Sequence, residues 1–212
     1  MYKLLNYWFE YCPSNTVLSQ LPNLNASFDR WFGGKEDTVQ RSIWNSALEE
    51  VESWPDTLDG QLARVILYDQ IPRGCFRGTA MAFAYDKKAL SRANHFLAFT
   101  YPYMMDLDSS ICLSQIFMAL ICLSHSEEKA VQHRSLSLSA QFAKEVMQQS
   151  WLSEVTKKQL AQVYPEAKQH YDVIKCFGRF PHRNRVLKRK LTTEEKQFLQ
   201  QKKLPNWMYS QS

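Results

Sequence analysis

The sequence predicts an all-α, single-domain helical array of roughly eight to ten helices joined by short connections. Three observations carry that prediction. Apolar residues recur at spacings of three and four along nearly the whole chain. No stretch of useful length alternates apolar and polar residues, as a half-buried strand does. The 212 residues include only 6 Gly and 8 Pro, too few for the tight turns of a sandwich or barrel.

The elements follow in order. Leu4, Leu5, Trp8, Phe9 and Cys12 form a first stripe that Pro13 ends, and Phe28, Trp31 and Phe32 form a short turn closed by Gly33-Gly34. Val39, Ile43, Trp44, Ala47 and Val51 mark a helix that stops at Pro55. Asp59 is the predicted cap of the next helix. Pro72 is predicted to force Ile71 out of helical geometry. Thr79 and Asp86 are predicted caps for short and long helices, and Tyr101-Pro102-Tyr103 is a break. Asp108 or Ser109 starts a greasy helix to Leu123. Ser126-Glu127-Glu128 starts a helix to about Gln149, with Ala130, Val131, Leu138, Phe142 and Val146 facing inward. Ser153-Glu154 starts another, kinked or split at Pro165 and ended by Gly178. Thr192-Thr193-Glu194-Glu195 reads as a capping box for a last helix.

Composition narrows the class. With 45% hydrophobic and 13% aromatic residues, the chain supports one sizeable core. Residues 1–205 are assigned to one helical domain and 206–212 to a weakly ordered tail that Trp207 and Tyr209 can anchor. The stretch from Ile111 to Leu123 falls short of the roughly 20 apolar residues that span a bilayer, so no membrane association is expected. The start of the chain lacks the apolar run of a leader. The 5 cysteines (Cys12, Cys75, Cys112, Cys122 and Cys176) are odd in number and form no C-x-x-C, which points to free thiols in a reducing cytoplasm. Net charge is +5, concentrated between Lys175 and Lys190, where seven Lys or Arg occur without an acid.

Chemistry concentrates in three segments. Asp69-Gln70-Ile71-Pro72-Arg73-Gly74-Cys75-Phe76-Arg77-Gly78-Thr79 and Phe177-Gly178-Arg179-Phe180-Pro181-His182-Arg183-Asn184 set arginines among aromatics where helices stop. His125-Ser126-Glu127-Glu128 opens a helix with acids at its positive end. Together with Tyr7-Trp8-Phe9, Phe28-Asp29-Arg30-Trp31-Phe32 and Ala82-Phe83-Ala84, these motifs resemble DUF924, a bacterial family of uncharacterised proteins. The resemblance covers most of the chain. It implies an all-helical fold similar to tetratricopeptide arrays, although no repeat is readable, and it supplies no activity, cofactor or catalytic residue. Two departures stand out. Members commonly read Arg-Asn-x-Phe-Arg-Gly where this chain has Gly74, which removes one polar amide. A familiar Leu-Gly-Arg is here Leu187-Lys188-Arg189, which removes a glycine from a turn.

The residues themselves suggest a composite anion site. Arginine presents a planar fork of donors matched to phosphate or carboxylate. The candidate ligand-binding residues are Asp69, Arg73, Arg77, His125, Glu128, Arg179, His182, Arg183 and Asn184, and Arg77, His125 and Arg183 are expected around one cleft. The competing reading is an internal network in which carboxylates consume the guanidiniums. The favoured partner is a small phosphorylated or carboxylated ligand or an acidic peptide. A hydrolase or transferase acting on such a ligand is the second reading, with His125, His182 and Glu127 as candidate acid–base groups. RNA binding is third, through Arg179, Arg183, Arg185, Lys188, Arg189 and Lys190 with Phe177 and Phe180. No nucleophile or phosphate-loop motif is present. The pairs His125/Glu128 and Glu166/His170 fall short of a metal motif, so neither metal nor cofactor is expected.

Overall fold

The first apolar stripe folds as expected: helix α1 (Tyr2–Phe9) buries Leu4, Leu5, Trp8 and Phe9. The computed structural model describes residues 1–9, 31, 37–106 and 113–209. The breaks expected at Pro13 and Gly33-Gly34, and the start expected at Asp108 or Ser109, lie outside the described residues. So does the predicted turn at Phe28–Phe32 apart from Trp31, whose indole N–H donates to Trp8 O at 2.8 Å.

Helix α2 (Asp37–Glu50) turns Gln40, Trp44 and Ala47 inward and leaves Val39 exposed, so its buried face is rotated from the predicted stripe. A 3-10 turn at Val51–Ser53 follows, and Trp54 becomes extended ahead of Pro55. Helix α3 (Leu58–Val65) is capped by Thr57, whose extended backbone lets its hydroxyl accept Gly60 N–H; Asp59 belongs to the first turn instead. Gly60 is required here, because a Cβ would lie 1.9 Å from the Pro55 carbonyl oxygen.

Pro72 does not break the chain as predicted. α3 runs into a π-turn at Ile66–Gln70 and then into α4 (Ile71–Cys75), and Ile71 stays right-handed helical at φ −59°, ψ −44°. Its N–H reaches back to Ile66 O, so the wider turn absorbs the clash that Pro72 would make in a regular helix. The π-turn carries Asp69 and Gln70. Thr79 precedes a 3-10 turn at Ala80–Phe83 without capping it, since its hydroxyl donates to Phe76 O instead. Asp86 is the first residue of α5 (Asp86–Thr100), not its cap. Its carboxylate is held by two arginines.

Every residue of α6 (Leu113–Ser124) is buried. A helix apolar all round must be enclosed, and α3, α5, α7 and α9 enclose it. α7 (Lys129–Gln148) starts after Glu128 rather than Ser126, whose hydroxyl accepts Glu128 N–H. Its buried face is Gln132, Ser135, Ser139, Phe142, Ala143 and Val146, a more polar stripe than the one expected. Gln132 explains part of the difference, because its amide donates to the Ser124 and Ser126 carbonyls at the end of α6.

Ser153 caps α8 (Glu154–Ala161) as predicted. The chain then splits at Gln162 and continues as α9 (Val163–Phe177), with Pro165 in its first turn, where a missing N–H is harmless. Gly178 closes α9 in the left-handed region at φ 70°. After a 3-10 turn at Pro181–Arg183 come α10 (Thr193–Leu199), with the predicted capping box of Thr192 and Glu195, and α11 (Asn206–Tyr209). The fold is all-α, with no strand among the described residues. A small apolar cluster of Val173, Ile174, Phe180 and Met208 ties the C-terminal segment to α9 beside the main core. Among the described residues no helix is long and apolar enough to cross a membrane.

Candidate functional site

A cavity of about 410 Å³ opens where α4, α6, α9, the 181–183 turn and α11 meet. Arg73, Arg77, His125, His182 and Arg183 line it, with Gln40, Gln70, Glu166 and His170. Trp31, Phe83, Phe117, Ile121 and Trp207 supply an apolar wall. Residues from all three candidate segments therefore share one cleft, Arg77, His125 and Arg183 among them.

Carboxylates sit behind this wall and fix its cations. Arg73 Nη1 lies 2.9 Å from Asp69 Oδ1, and its Nη2 donates to Asp86 Oδ2 at 3.0 Å. Arg183 Nη1 donates to the same Asp86 oxygen at 3.0 Å, and its Nη2 to the His125 carbonyl at 3.1 Å. Asp86 thus bridges two arginines 110 positions apart in sequence (183 minus 73). The Arg183 guanidinium also lies between the Phe83 and Phe180 rings, 4.4 and 4.5 Å from their centroids. Burial draws Arg183 down to about 10, with Asp86 opposing and Arg73 reinforcing the effect, so it remains charged at neutral pH. Burial acts the same way on Arg73, but Asp69 and Asp86 more than offset it and hold that guanidinium above its ordinary value.

Asp69, only 1% exposed, also accepts from the Gln70 amide and from His125 Nδ1, at 2.8 Å. Burial alone would raise its carboxyl. Arg73, His125 and Gln70 together reverse that and keep it ionised well below the usual range. Burial and the neighbouring Arg73 push His125 down, so its ring is neutral at pH 7 and Nδ1–H is the donor to Asp69. His170 is pushed far down by burial and by His125, and its Nδ1–H donates to Glu166 O at 2.8 Å. Burial and Arg183 lower His182 to about 3. Burial raises the Glu166 carboxyl. Trp207 stacks on His170 with ring centroids 3.8 Å apart and meets His182 edge-on.

The remaining sequence candidates lie off the cavity lining. Arg179 donates to Glu195 at 2.6 and 2.8 Å and to Lys190 O. Glu127 accepts Phe180 N–H at 2.7 Å and a two-pronged contact from Arg189 at 2.7 and 3.0 Å. Glu127 and Arg189 therefore fasten the 179–189 loop to the start of α7, which makes Glu127 a strut rather than a pocket acid. Glu128 is exposed at the cap of α7. Asn184 is fully buried beneath the loop, with its carbonyl accepting Arg189 N–H at 2.8 Å. Among the described residues no three side chains of His, Cys, Asp or Glu are grouped to hold a metal ion. Cys75 and Cys122 are buried thiols outside any disulfide, and burial drives the Cys122 thiol well up.

Sequence reasoning missed Asp86, Gln40, His170 and Trp207 as parts of this site. Asp86 offered no signal, because an acid at a helix start is already explained by the helix dipole. His170 did: it falls on the apolar face of α9 with Val163, Ala167, Val173 and Ile174, an unusual place for an imidazole. Gln40 modifies the expectation at Gly74. A Cβ there would lie 1.6 Å from Gln40 Oε1, so the amide of Gln40 occupies the room that a side chain at 74 would take. A polar amide thus reaches the cavity from α2.

Comparison with family models identifies one family. The sequence model of a family described as bacterial protein of unknown function, DUF924, matches residues 4–203. The chain belongs to that family. A protein of unknown function from Agrobacterium tumefaciens has a similar solved structure, with a TM-score of 0.58 and 26% identity; the match covers 94% of this chain and 96% of that one. A comparison with curated proteins finds no match.

Proposed function

We propose that this DUF924 protein binds a small organic anion, carboxylated or phosphorylated, in the cavity between α4, α6, α9 and α11. One observation carries the reading: three arginines from two distant segments line a single cavity whose other wall is aromatic. A volume of about 410 Å³ suits a small metabolite and is too small for a folded partner. Asp69 and Asp86 orient two of the guanidiniums. A ligand carboxylate or phosphate would meet groups already fixed in place, without loss of rotamer freedom. The cysteine pattern favours a cytoplasmic setting for such a ligand.

The Asp69–His125 bond favours a second reading, an enzyme acting on the same ligand. A neutral imidazole whose Nδ1–H is held by a buried carboxylate is built as a general base. RNA binding has weaker support, because Arg179 and Arg189 of the basic run are already paired with Glu195 and Glu127.

Trp31 and Trp207 make binding visible. Phenyl phosphate and benzoate should change tryptophan fluorescence saturably, and Arg77→Ala should weaken both about tenfold with little change in melting temperature. Equal binding by Arg77→Ala and the native protein, or no saturable change with either probe, would remove the proposal.

A further inference from the structure

We infer that the ligand of this cavity is a hydroxylated acid, its hydroxyl received by the paired Nε2 atoms of His125 and His170. The inference rests on the anion-binding reading above and adds the second group that the ligand must carry.

Each ring already uses one of its two nitrogens. His125 uses Nδ1–H on Asp69, and His170 uses Nδ1–H on the Glu166 carbonyl. In a neutral ring, one nitrogen donates and the other accepts. Both Nε2 atoms are therefore acceptors, and among the described residues neither has a hydrogen-bond partner. The rings stand 5.7 Å apart between centroids, and both line the cavity. Neither Nε2 is among the fully buried unpartnered atoms, so each lone pair is open to the cavity rather than sealed in the core. Two acceptors open to one cavity specify a ligand group that can donate.

The donor must be uncharged. An ammonium would stand beside Arg73 and Arg183, which already favour neutral imidazoles by like-charge repulsion, both arginines acting on His125 and Arg183 on His170. A hydroxyl meets the requirement. It donates to one Nε2 and, as a diol or through a water, serves both, while the acid group of the same molecule takes the arginine side. The chemical class is a hydroxycarboxylate or a polyol phosphate.

Matched probes that differ only in their hydroxyls, one in the first pair and two in the second, test this. Calorimetric titrations would compare mandelate with phenylacetate, and glycerol 3-phosphate with propyl phosphate. The hydroxylated member of at least one pair should bind about tenfold more tightly, and that margin should vanish in His170→Phe, which keeps a ring under Trp207. His125→Gln should likewise shrink the margin. Equal affinity within both pairs, or a margin that survives His170→Phe, would overturn the hydroxyl assignment and leave anion binding standing. Absence of binding by all four acids would remove both.

Discussion

The loop from Arg179 to Arg189 feeds two ion-pair networks with different consequences. Inward, Arg183 joins Asp86, Arg73, Asp69 and His125 in a cluster whose arginine side chains are under a tenth exposed. Outward, Arg179 meets Glu195 and Arg189 meets Glu127, with the arginines about a quarter exposed. Both networks pair arginines with carboxylates, aspartates inside and glutamates outside, and they differ in how deeply the arginines are buried. In the inner cluster each charge depends on its partner, because removing one leaves another stranded in low dielectric. In the outer clamp water can replace a lost partner at Arg189 and Glu127, both about a quarter exposed, so that pair contributes little, whereas Glu195 is buried and also accepts Thr192 N–H. The contrast teaches that arginine density in the sequence marks this loop as important without saying which arginine faces a ligand, which braces the wall and which pins the loop down.

The sharpest way to break this contrast is Asp86→Ala. It strands two buried guanidiniums at once and should destabilise the protein by roughly 3–5 kcal/mol in urea unfolding. A loss below 1 kcal/mol would place the inner cluster on the same footing as the outer clamp.

Acid should separate the two regions next. His125, His170 and His182 are held neutral in the folded state, so the unfolded chain gains protons as pH falls below 6.5 while the folded chain does not. Their folded values are depressed. The stability they allow is therefore full above 6.5 and declines as pH falls, for His182 down to about 3. Each group adds a slope of about 1.4 kcal/mol per pH unit. Melting temperature should drop between pH 6.5 and 5, before the carboxylates titrate, and His170→Phe should flatten that drop. The outer clamp fails later: Glu195, lowered to about 2 chiefly by its bond to Arg179, protects the fold until pH falls below its unfolded value near 4.5. A melting temperature that is flat from pH 7 to 5 would contradict the buried histidine assignment.

Smaller effects complete the series. Arg189→Ala should cost about 1 kcal/mol, since Glu127 keeps its bond to Phe180 N–H. Lys188→Gly should stabilise by up to about 1 kcal/mol. Lys188 sits at φ 54°, a left-handed conformation that glycine adopts without strain. Thermal melts would check both, and a destabilising Lys188→Gly would show that the lysine side chain matters more than its backbone.

That last position shows how much was legible. The loss of glycine at 188 raised the prospect of a different turn, yet the chain keeps a left-handed residue there, because Arg189 must still reach Glu127 and the Asn184 carbonyl. Helix existence was readable from apolar spacing, and the cap at Ser153, the stop at Gly178 and the box at Thr192 from local chemistry. Pro72 misled, because a π-turn is a cooperative adjustment with no local sequence mark. The polar inner face of α7 misled for a related reason: Gln132 is buried by its bonds to another helix. Within the site, arginines and histidines at helix ends announced themselves. Their partner Asp86 and the stacking Trp207 did not, because both arrive through tertiary packing alone.

The central claim is that a carboxylate-braced wall presents neutral imidazoles to an organic acid. Long-range proton–nitrogen NMR of the histidine rings at pH 7, with and without mandelate, tests it most directly. The account predicts that His125 and His170 are neutral with Nδ1 protonated, and that mandelate shifts their Nε2 resonances but not those of the exposed His95 and His133. Imidazolium signals for His125 and His170, or mandelate shifts confined to the exposed histidines, would contradict it.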